Sequence, residues 1–199
     1  PPEITKKPYL LVTTGGGGDG DGLIEWVLRA YETDPMLPYP ALLVLGPFMQ
    51  MEKQAEFLKR AAGLERVEAI TFDQHMESLE DNAVGIVAMG GYNTFCEILS
   101  LDKKAIIVPR KVPRLEQFIR ASRAEELGLV RMLEDDGQYD PAVMATALRQ
   151  MPRQGKPSDV VVPGLLEGLV NVGRLIEPFL DRHADKQDGV RPTVLAERY

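Results

Sequence analysis

An apolar run, Val87-Ala88-Met89, stops at the pair Gly90-Gly91, and Tyr92-Asn93-Thr94-Phe95-Cys96-Glu97-Ile98-Leu99-Ser100 follows at once. A second short apolar run, Lys104-Ala105-Ile106-Ile107-Val108, then ends at Pro109. The order reads as strand, glycine turn, helix, strand, with the Asn93-Thr94 step opening the helix. Such a unit makes its two strands parallel, and a parallel sheet must be covered on both faces. A glycine turn also lets a ligand approach the backbone at a helix N-terminus, where free N–H groups and the helix dipole favour an anion. Glu97 sits too deep in the helix to repel that anion strongly, yet it can reach a sugar hydroxyl beside it.

The rest of the chain repeats this alternation. Strands are expected over 9–14, 41–45, 67–72, 84–88, 104–108 and 130–133, most of them nearly all apolar. Helices are expected from Leu23 to Tyr31, Met51 to Ala62, Met76 to Glu80, Asn93 to Ser100, Leu115 to Leu127 and Ala142 to Met151. Asp21 reads as the cap of the first, and Leu115, Phe118, Ile119, Ser122 and Leu127 line one face of the fifth. Asp140-Pro141 caps the sixth, with proline at its first position. The fold class is α/β, a Rossmann-like parallel sheet with helices on both faces. Residues 1–8 read as a linker end, 9–163 as the main domain, 164–181 as an amphipathic helix and 182–199 as a charged tail.

A length of 199 residues and a hydrophobic content of 44% suffice for one such core. The net charge of −7 argues against a general nucleic-acid binder. The single Cys96 excludes an internal disulfide and fits a reducing, cytoplasmic compartment. No signal peptide is visible, and no apolar run reaches the ~20 residues of a membrane span. The first residue is Pro1, so an upstream portion is expected.

Two loops and two later segments stand out. Gly15-Gly16-Gly17-Gly18-Asp19-Gly20-Asp21-Gly22 follows the first strand. It is a backbone cradle for a phosphate or a flexible turn capped by Asp21; no Lys-Ser/Thr follows, so it is not a Walker loop. Glu97 is a ligand for a sugar hydroxyl or a solvated helix carboxylate. Gln117 is a reader of hydroxyl orientation or a surface amide, and Arg110, Lys111 and Arg114 before it offset the charge of an anion or are simply solvated. His75 reads as a surface residue and Cys96 as a small apolar helix residue. No clustered metal-ligand pattern is present.

Gly90-Gly91-Tyr92-Asn93-Thr94-Phe95-Cys96-Glu97 resembles the Ser/Gly-Gly-x-x-Thr-x-x-Glu signature of family 28 glycosyltransferases. The similarity extends in order from Tyr9 to Leu129 and implies the C-terminal, donor-binding half of a two-domain GT-B fold. By that resemblance Gly16, Gly17 and Gly18 face the donor diphosphate, although glycine stands where the family has serine. Gly91, Asn93 and Thr94 lie by the same diphosphate, and Glu97 accepts hydrogen bonds from the ribose diol. Tyr92 replaces a smaller residue common in the family. The backbone of Asp73, in a Phe-x-x-x-Met stretch, lies on the uracil ring. Gln117, with its neighbour Glu116, contacts the donor sugar. Residues 164–181 resemble the helix that crosses back toward the N-terminal domain.

The resemblance implies transfer of a hexose or N-acetylhexosamine from a UDP-sugar, with no metal or other cofactor. The acceptor and the catalytic base belong to an N-terminal domain, so no catalytic residue is assigned in this stretch, and the fragment alone is expected to be inactive. A lipid acceptor implies peripheral contact with the inner face of the membrane. Three rival readings remain open from sequence. They are a UDP-sugar 2-epimerase, a donor subunit of a split transferase, and a non-catalytic nucleotide-sugar-binding module.

Overall fold

The computed structural model describes residues 2–16 and 18–160. Gly17, the expected crossing helix over 164–181 and the tail over 182–199 lie outside the described residues. Six parallel strands form one sheet: β1 Leu10–Thr13, β2 Ala41–Val44, β3 Val67–Ile70, β4 Gly85–Ala88, β5 Ala105–Ile107 and β6 Arg131–Met132. Their order is β3-β2-β1-β4-β5-β6. The helices are α1 Asp21–Thr33, α2 Met51–Ala62, α3 Met76–Asn82, α4 Tyr92–Ser100, α5 Glu116–Glu126 and α6 Pro141–Gln150. Glu3–Lys6 forms a short 3-10 turn, and the Ile4 amide donates to the Glu68 carboxylate at 3.0 Å.

β1 is buried along its whole length because it lies at the centre. Leu10 pairs with Ala41 on one side and Gly85 on the other, and Thr13 pairs with Val44 and Ala88. Side chains alternate between faces. Leu10, Val12, Ala41, Leu43, Val87 and Ile106 share one core with residues of α1, α2 and α6. Leu11, Leu42 and Ile86, equally buried, fall on the opposite face by this alternation. The chain leaves β1 toward β2 in one direction and leaves β4 toward β5 in the other. This reversal opens a crevice at the carboxyl ends of β1 and β4, the place where open α/β sheets bind ligands.

Two local expectations are corrected. Asp21 does not cap α1: Gly20 holds the cap position, and no side chain bonds the first turn. Asp21 is already the first residue of the helix, and the cap position has no room for a side chain, because a Cβ on Gly20 would lie 2.3 Å from the Thr14 Cβ. The apolar face expected of α5 is not the face it buries. Leu115 and Ile119 are 54% and 63% exposed, whereas Gln117, Ala121 and Ala124 turn inward. Small side chains there let the helix lie close to its neighbours. The cap on α6 is as expected, with the Asp140 carboxylate accepting from the Ala142 amide at 2.9 Å.

Candidate functional site

A cleft of about 540 Å³ lies at the carboxyl ends of β1, β4 and β5. Its floor is Thr13, Thr14, Ala88 and Met89, the last residues of β1 and β4 and those just beyond. Gly15, Gly16, Gly18 and Asp19 form one wall, and Gly90, Gly91 and Thr94 form another. Arg110 and Gln117 close the far side. Phe48, from the turn after β2, covers the rim, and its amide donates to the Gly16 carbonyl at 3.0 Å.

A second cavity of about 300 Å³ adjoins the first. It shares Thr13, Gly15, Gly16 and Thr94 with the cleft. Its own walls are Val44, Gly46, Pro47, Phe72 and Met76, with Glu80 and Glu97 as the acidic side chains. The two spaces border on one another across these four residues, a trough in two parts, mixed polar and apolar at one end and largely apolar at the other.

The turn after β4 requires glycine. Gly90 has φ +78°, and a Cβ there would sit 2.7 Å from Ile107 Cγ2. The Gly90 carbonyl is fixed by the Arg120 guanidinium at 2.7 Å. Arg120 in turn lies over the rings of Tyr92 and Phe95, 5.6 and 5.9 Å from their centroids. Gly91 caps α4, and no side chain bonds the amides of its first turn. Those amides open beside Gly91 and Thr94 at the cleft wall. Unpaired helix N–H groups with a glycine approach suit an anion.

The charges of the cleft are arranged around Arg110. Its guanidinium pairs with Asp19 across the glycine loop, and its Nε is buried without a partner among the described residues. Its backbone amide donates to Gln117 Oε1 at 3.3 Å. That bond fixes the orientation of the Gln117 amide and turns its NH₂ away from Arg110. Lys111 is drawn off to Glu134 at 2.6 Å.

The sequence-derived candidates divide accordingly. Gly16, Gly18, Gly91, Thr94 and Gln117 meet in the cleft. Glu97 joins Thr94 in the adjoining cavity. Asn93 is exposed on the first turn of α4 and lines neither space. Glu116 is exposed, 4.0 Å from Arg110 Nη2. The Asp73 carboxylate accepts from the His75 amide at 2.7 Å and closes its own turn, leaving Phe72 to face the cavity. His75 is exposed and Cys96 half-buried. Among the described residues no group of three metal-ligating side chains comes together, and no helix is long and apolar enough to cross a membrane.

Sequence reading passed over Phe48, Arg120 and Glu80. Glu80 had a visible signal: it lies four residues after Met76 and next to Leu79, on the face that α3 buries. It is 2% exposed, and its pKa is pushed up to about 7 by burial first and then by the neighbouring Glu97 and Glu77 carboxylates.

Solved structures share this fold. CalG4, the calicheamicin glycosyltransferase, superposes with a TM-score of 0.59 at 21% identity, over 92% of this chain and 46% of its own. MurG of Acinetobacter baumannii gives 0.63 at 18% identity, over 86% and 53%. ALG13, solved by NMR, gives 0.56 at 17% identity, over 82% of this chain and 94% of its own. The chain thus spans about half the length of the first two, and its sheet matches the C-terminal half of a GT-B glycosyltransferase. No curated protein matches the chain in sequence. The family model for the glycosyltransferase family 28 C-terminal domain matches residues 10–153, most of the chain and every strand of the sheet, and the chain belongs to that family.

Proposed function

We propose that this chain is the donor-binding half of a glycosyltransferase that moves a hexose or N-acetylhexosamine from a UDP-sugar to an acceptor. The observation that carries the reading is the pair of adjoining cavities that make up the trough. A nucleoside diphosphate sugar needs an apolar slot for the base, a carboxylate for the ribose, amides for the diphosphate and an oriented amide for the sugar. The cavity between Phe72 and Met76 supplies the first and Glu97 the second. The glycine loop after β1 and the N-terminus of α4 supply the third, and Gln117 the fourth. By the family resemblance the backbone of Asp73 lies on the base, the backbone near Asn93 lies by the diphosphate, and Glu116 stands beside Gln117 at the sugar.

In this reading the chain's amides and Arg110 stabilise the charge that develops on the UDP leaving group, without a metal or other cofactor. A separate N-terminal domain holds the acceptor and the catalytic base. The enzyme works in the cytoplasm, and a lipid acceptor would bring it to the inner face of the membrane. A second reading, the donor subunit of a split transferase, gains support from the match to nearly the whole of ALG13.

The test is calorimetric titration of the intact protein with UDP, followed by a panel of UDP-sugars with product analysis. Saturable binding that falls roughly tenfold to a hundredfold in Glu97→Ala is expected, the loss of hydrogen bonds to a charged carboxylate. Absence of UDP binding at millimolar concentration overturns the reading. Isomerisation of the donor without transfer would identify an epimerase instead.

A further inference from the structure

Glu80 is an acid with no obvious occupation. It sits on the inner face of α3, and its neighbours hold it there: the Tyr9 phenol donates to the adjacent Leu79 carbonyl at 2.6 Å. The side chain reaches the cavity that also holds Glu97, between Met76 and Thr94. Its Oε2 is buried and meets no donor among the described residues. The Glu97 carboxylate lines the same cavity and is the first of the charges that favour a neutral Glu80. Two carboxylates cannot hydrogen-bond to each other unless one keeps a proton. The other charge acting on Glu80, Glu77 of the same helix, is also acidic. Lys103, which follows α4, is taken up by the carbonyls of Asp81 and Ala83.

We infer that Glu80 is the positioning residue for Glu97: its neutral carboxyl donates a hydrogen bond to one Glu97 oxygen and leaves the other facing the cavity, set for a ribose diol. This rests on the reading of Glu97 as the ribose ligand. The donor must be Glu80 because it is the more deeply buried acid, and burial penalises the charged form. A Glu97 that rotated freely would present its oxygens to a ligand only part of the time. The bond to Glu80 removes that freedom before the ligand arrives. Glu80 touches no ligand atom in this arrangement and acts only through Glu97.

A structural role would not care which ligand hydroxyls are present, nor which residue carries the proton. The test therefore uses UDP and 2′,3′-dideoxy-UDP on the intact protein, titrated calorimetrically at about pH 6 and about pH 8.5, on either side of the Glu80 transition. In the wild type, UDP affinity should fall roughly threefold to tenfold on going to the higher pH. The UDP phosphate also titrates near pH 6, so the wild type is compared with Glu80→Gln, whose amide donates without titrating. That variant should keep wild-type affinity at the lower pH and lose most of the additional fall. Glu80→Leu should weaken UDP roughly threefold to tenfold at the lower pH, and should leave dideoxy-UDP binding unchanged. An identical pH slope in wild type and Glu80→Gln overturns the inference, as does equal weakening of both ligands in Glu80→Leu. A Glu97→Ala effect on UDP without any Glu80 effect overturns it alone. Binding of UDP that is indifferent to Glu97→Ala overturns the ribose reading, and this inference with it.

Discussion

The Asp19 carboxylate pairs with the Arg110 guanidinium across the mouth of the main cleft, so an acid of the glycine loop occupies the cation that faces it. Both side chains line the cleft, and both are partly open to solvent. A diphosphate entering there competes with Asp19 for Arg110. Asp19→Asn should remove the competitor and tighten UDP binding about threefold to tenfold, an effect that shrinks as salt is raised. Weaker binding in the variant would show that Asp19 holds Arg110 in place for the ligand. Calorimetry at low and high ionic strength reads the difference.

The turn after β4 offers a test of backbone geometry. Gly90→Ala combines a left-handed φ with a Cβ driven against Ile107. The two together should cost about 2–4 kcal/mol in urea unfolding. Gly91 meets nothing within 4 Å and has an ordinary φ of −53°. Gly91→Ala should therefore change stability by less than about 1 kcal/mol. Equal losses at the two positions would mean that the turn is not built as described.

Much of this was readable from the chain because one signal dominates it. A strand buried on both faces reads as a continuous apolar run, so β1, β2 and β4 stood out and fixed the parallel sheet. Gly90-Gly91 marked the sharpest turn, and the glycine run after β1 marked the facing loop. What the pattern could not give was which side of a helix would be buried when its inward face is small and polar. Leu115 and Ile119 looked like core on α5, yet Gln117 and Ala121 hold that place. Partnerships across the cleft were equally silent. Nothing in sequence tied Asp19 to Arg110, or Glu80 to Glu97, because each pair is joined only by the folding of separate strands and helices. The Asp73 carboxylate closes a local turn through the His75 amide, a side-chain partnership that a backbone reading of this stretch does not address.

Glu80 also makes the fold sensitive to pH. Its carboxyl holds a proton in the folded state up to about pH 7, whereas the unfolded chain releases it near 4.5. The folded state thus binds more protons between those values. The stabilising contribution is complete below the lower value, falls as pH rises, and is gone above the upper one. Glu80→Gln removes this dependence. Its melting temperature should rise relative to wild type between about pH 5 and about pH 8, by a few degrees, corresponding to on the order of 1–3 kcal/mol. A difference that stays constant with pH would show that Glu80 is ionised throughout.

Gln117 allows the sugar end of the trough to be probed separately from the nucleotide end. Its Oε1 accepts from the Arg110 amide, and its side chain is 8% exposed, so its orientation is set by the fold rather than by a ligand. Gln117→Glu keeps that acceptor and almost the same shape. It replaces the NH₂ donor with an oxygen and places a negative charge in the cleft. A donor sugar would lose its hydrogen bond and a diphosphate would meet repulsion. Gln117→Leu removes the donor, and the acceptor of the Arg110 amide with it, without adding charge. The pair should therefore separate: Gln117→Leu is expected to leave UDP affinity within about twofold and to lower transfer by the intact enzyme about tenfold or more. Gln117→Glu should lower both. Unchanged transfer in Gln117→Leu, measured by product formation from saturating UDP-sugar, would move sugar recognition away from α5.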